Sequence, residues 1–149
     1  MNKLDDLLNE FDDKSKQDKG KLKKLNEEQK AKKEAFNSRF SAVMNKTIRP
    51  IMTEYLKKIR DHGHSAKIDT NDSRHFQYLH ESYLINRGKG GQYAHISIVG
   101  NYDHQKVFIY TEYSEGSSSK KIENQYDLSE VTDGLILDIV TNVVSKILK

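Results

Sequence analysis

KLKKLNEEQKAKKEAFNSRFSAVMNKTIRPIMTEYLKKIRDHG, residues 21–63, is the stretch whose reading decides the fold. From Phe36 onward its apolar residues (Phe36, Phe40, Val43, Ile48, Ile51, Met52, Tyr55, Leu56, Ile59) return mostly every three or four positions, the mark of a helix with one buried face. Gly63 fits the position just past the C-terminus, where a left-handed backbone suits a residue without Cβ. Lys57, Lys58, Arg60 and His62 crowd the last turn, where cations meet the negative end of the helix dipole. Pro50 lacks the amide hydrogen and presses on the carbonyl of Lys46. Because the apolar spacing continues in phase across it, one long helix kinked near residues 46–49 is expected. The segment from Leu22 to Phe36 has an approximate a/d spacing, partly coiled-coil-like but with polar Gln29 and Lys32 in the seam.

Upstream, LDDLLNEF (residues 4–11) places Leu4, Leu7, Leu8 and Phe11 on one face of a two-turn helix. So short a helix is marginal in water alone and needs something to pack on. Its anchor spacing is that of helix-in-groove recognition, which makes these four residues the candidate partner-binding site; a frayed start of the long helix is the alternative. Residues 12–20, DDKSKQDKG, contain no apolar residue and read as a polar linker or turn. Between Lys14 and Lys33 lie nine lysines against Asp18, Glu27 and Glu28. A solvated helical face explains such a run. Contacts from Lys19, Lys21, Lys23 and Lys24 to a nucleic-acid backbone are the alternative.

Downstream of Gly63 the period shortens to two. Ala66 and Ile68 mark a short strand, Tyr93–Val99 a second and Lys106–Tyr113 a third, with Ala94, Ile96 and Ile98 on one side. Residues 75–87 suit either strand or helix, because Phe76, Leu79 and Tyr83 also lie three to four apart. Residues 114–119 read as a polar loop and residues 122–126 as an edge strand. Val131, Leu135, Ile136, Ile139, Val140, Val143, Val144, Ile147 and Leu148 make the clearest amphipathic helix, capped by Ser129 or Thr132. The expected fold is α+β: a long N-terminal helix, an antiparallel sheet of three to five strands, and a C-terminal amphipathic helix packed on the sheet. The expected divisions are 1–20 (motif and linker), 21–63 (long helix) and 64–149 (sheet with closing helix), the last forming one globular domain with the end of the long helix.

Of the 149 residues, 35% are hydrophobic and 32% charged, with a net charge of +3. The polar excess is concentrated before Phe36. The absence of cysteine excludes disulfides, thiol nucleophiles and thiolate metal sites. No apolar run approaches the roughly 20 residues of a membrane span, and the acidic start is unlike a signal peptide. A cytoplasmic protein that does not enter the membrane is expected.

The chemistry-bearing residue types form no recognisable constellation. The histidines (His62, His64, His75, His80, His95, His104) have no metal-ligand spacing, so no metal or cofactor is implied. Gly88-Lys89-Gly90-Gly91 joins two strands and lacks the phosphate-loop pattern. The carboxylates single out no acid/base pair, and residues 114–119 lack a nucleophile elbow. Tyrosines on the sheet can stack on bases, yet that half of the chain carries no lysine-rich strand. The expectation is a non-catalytic interaction protein, a subunit, adaptor or chaperone-like factor. It would bind a protein partner and form a homodimer or other homo-oligomer through Leu22, Leu25, Phe36 and Phe40. A sequence-nonspecific nucleic-acid-binding protein is the alternative.

Overall fold

The computed structural model describes residues 3–75 and 77–148. Its elements follow in the order α1 (Lys3–Val43), a π-turn (Met44–Ile48), α2 (Arg49–Asp61), β1 (Ser65–Ile68), β2 (Leu79–Asn86), β3 (Tyr93–Asn101), β4 (Lys106–Glu115), β5 (Ser118–Tyr126), a 3₁₀ turn (Leu128–Glu130) and α3 (Asp133–Ile147). The five strands form one antiparallel meander in sequence order. The class is α+β. By internal contacts the chain divides into two units, Met1–Ala35 and Phe36–Lys149, rather than at residues 20 and 63.

Within the second unit, one sheet face is apolar. Tyr83, Ile85, Ala94, Ile96, Ile98, Val107 and Ile109 are buried there, and the ladder registers place them side by side. Helical residues Phe36, Phe40, Met44, Ile48, Met52 and Leu56 complete the core together with Ile136, Val140, Val143 and Ile147 of α3. The first six recur every fourth residue. On a straight α-helix, at about 100° per residue, such a row drifts about 40° per step. The π-turn slows that rotation: the amide of Arg49 donates to the carbonyl of Met44, five residues back. It also widens the helix just ahead of Pro50, which enters at the first turn of α2. At the place where the proline predicts a kink, the structure has this π-turn.

Phe36 and Phe40 are 0% and 1% exposed inside this chain. This corrects their assignment to a surface between copies. Few apolar residues near them in sequence can cover these two rings, but the sheet, distant in sequence, supplies the neighbours. Phe40 lies on Gly100 of β3, where a Cβ would come within 2.5 Å of its ring. Residues 12–20 are also corrected, since α1 runs through them without a linker or turn. The ambiguous stretch resolves as a turn followed by β2; Phe76 lies outside the described residues. The polar loop foreseen at 114–119 shrinks to the turn residues Gly116 and Ser117, because β4 reaches Glu115 and β5 starts at Ser118.

At the end of α2, Gly63 has φ +91° and donates to the carbonyl of Arg60, the terminator expected of it. Thr132 caps α3, its hydroxyl oxygen accepting from the amide of Leu135. No described helix is long and apolar enough to cross a membrane.

Gly100→Ala should destabilise the second unit by about 1–3 kcal/mol, because the new methyl meets the face of Phe40 in a packed core. A urea melt is the check. An unchanged midpoint would show that the ring moves aside freely.

Candidate functional site

Two features carry polar or apolar groups in arrangements the core does not require. The first is a cluster on the sheet face opposite the helices. Alternation sends Ser82, His95, Ser97, Tyr110 and Glu112 to that face, and the register sets Ser82 beside Ser97 and His95 beside Glu112. The segment after β1, DTNDSR (residues 69–74), folds over them. Two aspartates shape it, Asp69 accepting from the amide of Asn71 and Asp72 from that of Arg74, each two residues on.

Asp72 is the centre of the cluster. Its side chain is 2% exposed. It accepts from Arg74 Nε (3.0 Å) and Nη2 (3.2 Å) as a two-pronged fork, and from the hydroxyls of Ser82 (2.7 Å) and Ser97 (3.1 Å). The Arg74 bonds, assisted by both serines, hold its carboxyl far below the usual carboxylate range even though burial opposes this. Arg74 Nη2 also lies 3.0 Å from His95 Nδ1, and His95 Nε2 lies 3.0 Å from Asp69 Oδ2. A neutral imidazole protonated on Nε2 satisfies both bonds, accepting from Arg74 and donating to Asp69. At the rim, His75 stacks on Tyr110 at 4.7 Å, and burial there pushes its pKa down.

Asp69, Asp72 and His95 bring possible ligand atoms within 4.8 Å of one another. The cation already among them is the Arg74 guanidinium, which takes both oxygens of Asp72. Ser97, His95 and Asp69 also stand in the order of a nucleophile, base and orienting acid, with Ser97 Oγ 3.5 Å from His95 Nδ1. Yet Ser97 is 0% exposed and its hydroxyl donates to Asp72. In this arrangement the cluster is a clasp that fastens the 69–74 segment to the sheet. A second buried carboxylate, Glu81, is closed in the same way, accepting from Arg49 Nε (2.6 Å) and the Tyr83 hydroxyl (2.8 Å).

The second feature is the surface of the first unit. The proposed partner-binding residues Leu4, Leu7, Leu8 and Phe11 are all exposed, as are Leu22 and Leu25. Because α1 is unbroken, these two groups belong to one helix. Steps of four and three lead from Leu4 through Leu8, Phe11, Ser15, Asp18, Leu22 and Leu25 to Gln29 and Lys32. That is a single seam of heptad spacing, interrupted by polar Ser15, Asp18, Gln29 and Lys32. Lys19, Lys21, Lys23 and Lys24 are exposed on the same helix.

The seam is hidden in the sequence because residues 12–20 carry no apolar residue and read as a linker or turn. The clasp is hidden because its residues lie on separate elements. One available signal was polar His95 and Ser97 alternating with apolar residues in a strand central enough to be covered on both faces. Comparison of the chain with family models, with curated proteins and with solved structures returned no match.

Asp72→Ala should destabilise the second unit by about 3 kcal/mol at neutral pH, since it strips Arg74, Ser82 and Ser97 of their shared acceptor. The sign with pH follows from the depressed pKa. The carboxylate contributes stability above its unfolded value, and that contribution is lost as pH falls below about 4. Denaturant melts of wild type and variant should therefore converge in acid. A constant gap would assign the loss to packing instead.

Proposed function

We propose that this is a non-catalytic interaction protein whose N-terminal helical unit docks an amphipathic helix of a partner protein. The observation that carries the reading is the seam: six large apolar side chains (Leu4, Leu7, Leu8, Phe11, Leu22 and Leu25) are exposed along one continuous helix. Leu4, Leu8, Phe11, Leu22 and Leu25 occupy the knob positions that a second helix covers, with Leu7 beside them.

Charge indicates the partner's chemistry. Nine lysines against three acidic residues over Lys14–Lys33 favour a helix bearing Asp and Glu beside its apolar stripe. A parallel, in-register pair of copies of this helix would set Asp18 against Asp18 and Lys32 against Lys32 in the seam. Such like-charge contacts work against self-pairing there. The second reading, a sequence-tolerant nucleic-acid contact, rests on the exposed Lys19, Lys21, Lys23 and Lys24.

The test uses a synthetic amphipathic helix with leucine in its seam and glutamate on its flanks. It should bind the wild-type chain, and Leu22→Asp with Leu25→Asp should weaken binding more than tenfold. Thermal melts of the second unit should be unaffected. Replacing Lys19, Lys21, Lys23 and Lys24 with Gln should cost less and flatten the salt dependence. If the peptide fails to bind while duplex or single-stranded nucleic acid binds in a salt-sensitive manner that the Gln variant loses, the second reading replaces the first.

A further inference from the structure

The sheet has an open edge of a kind that specifies its own neighbour. β5 (SSKKIENQY, Ser118–Tyr126) pairs with β4 on one side and, among the described residues, has no strand on the other. The two-residue turn at Gly116 and Ser117 fixes which backbone groups face outward. The flanking pair Glu115 and Ser118 takes the closely hydrogen-bonded position of such a hairpin. Counting in twos, Lys120, Ile122, Asn124 and Tyr126 direct their backbone groups to β4. Ser119, Lys121, Glu123 and Gln125 direct theirs to the open side.

From this geometry we propose that β5 pairs antiparallel with β5 of a second copy, on a two-fold axis at Ile122, continuing the sheet across the interface. The register is chosen by charge. With the axis at Ile122, Lys121 of each copy faces Glu123 of the other, Lys120 faces Asn124 and Ser119 faces Gln125. Moving the axis one residue back, to Lys121, sets lysine on lysine. Moving it one residue forward, to Glu123, sets glutamate on glutamate. The Ile122 axis also makes both Lys121–Glu123 pairs mutually hydrogen-bonded, since all four residues direct their backbone groups outward.

Neighbouring groups agree with this register. Within one copy Lys121 stands opposite Glu112 of β4, so the second copy's Glu123 places it between two carboxylates. Glu123 stands opposite Tyr110 of β4 and is exposed, which leaves its carboxyl group open to the lysine. On the helix side, Ile122 and Tyr126 are only partly buried. So are Leu135 and Ile139, on the flank of α3 opposite the one where Val144 and Leu148 meet Lys58 and Ile59 of α2. That flank faces the β5 side and offers apolar area beside the axis. An open nine-residue edge is a hazard unless it is blocked or paired. Two central lysines block it against arbitrary strands, whereas an acid two positions after Lys121 admits its own copy.

Sedimentation of the full chain tests the interface. The wild type should run at twice the 17.3 kDa chain mass at tens of micromolar, an accessible association range. Lys121→Glu and Glu123→Lys each set like charges across the axis, and each should be monomeric. Mixed in equal amounts they should dimerise, since glutamates of one variant then meet lysines of the other; recovery on mixing also shows that both are folded. Leu22→Asp with Leu25→Asp should leave the dimer intact, which separates this interface from the N-terminal seam. A monomeric wild type, single variants that remain dimers, a mixture that stays monomeric, or a dimer dissolved by the leucine changes would each overturn the proposal.

Discussion

A row of large side chains at every fourth helical position, from Phe36 to Leu56, must stay on one sheet face. Most of the second unit depends on this constraint. An undistorted α-helix cannot meet it over six positions, because the row would wind out of the interface. The π-turn at Met44–Ile48 reduces the winding where the row is longest from either end, and Pro50 fixes its place. Gly100 then permits the closest approach, with Phe40 seated where any side chain would stand. β-Branched residues give α3 little intrinsic preference for helix, so its stability comes from the same packing.

The opposite sheet face poses a different physical problem. Strands in the middle of a five-stranded meander present groups there that a short polar segment, rather than a helix, must cover. Burying an aspartate costs several kcal/mol unless its oxygens are bonded. Asp72 meets that condition with a guanidinium fork and two hydroxyls. Arg74 is half-exposed, so its pairing with Asp72 is partly screened, and the serines carry more of the specificity than a charge count suggests. Ser82 and Ser97, 2.9 Å apart, form a polar floor with room for one carboxylate. Their small size lets the 69–74 segment lie close to the sheet.

Periodicity made α2, β3, β4 and α3 legible because each buries a single face in its own local pattern, and Gly63 and Thr132 are read from local geometry. Three features were not local. The helix through residues 12–20 has no apolar pattern to betray it, although lysine and glutamine propagate a helix well and Gly20 costs only about 1 kcal/mol. Phe36 and Phe40 looked short of neighbours because those neighbours come from strands much later in the chain. The clasp unites Asp69, Asp72 and Arg74 of a loop with Ser82, His95 and Ser97 of two strands. Polar residues on alternate strand positions ordinarily mean solvent, and only the folded segment above them reverses that reading.

The two proposed surfaces recognise partners by different physics, so one chain can use both. On the helical seam, affinity comes from apolar side chains, while Asp18 and Lys32 discriminate among partners by what they must face. At β5 the backbone supplies the adhesion, which any strand could exploit. Specificity there must come from side chains that penalise the neighbouring alignments. In the proposed pairing Lys121 and Glu123 do so, setting like charges together when the axis moves one residue either way from Ile122. Asp18 and Lys32 thus discourage self-pairing on the seam, whereas the β5 charges favour it at the edge.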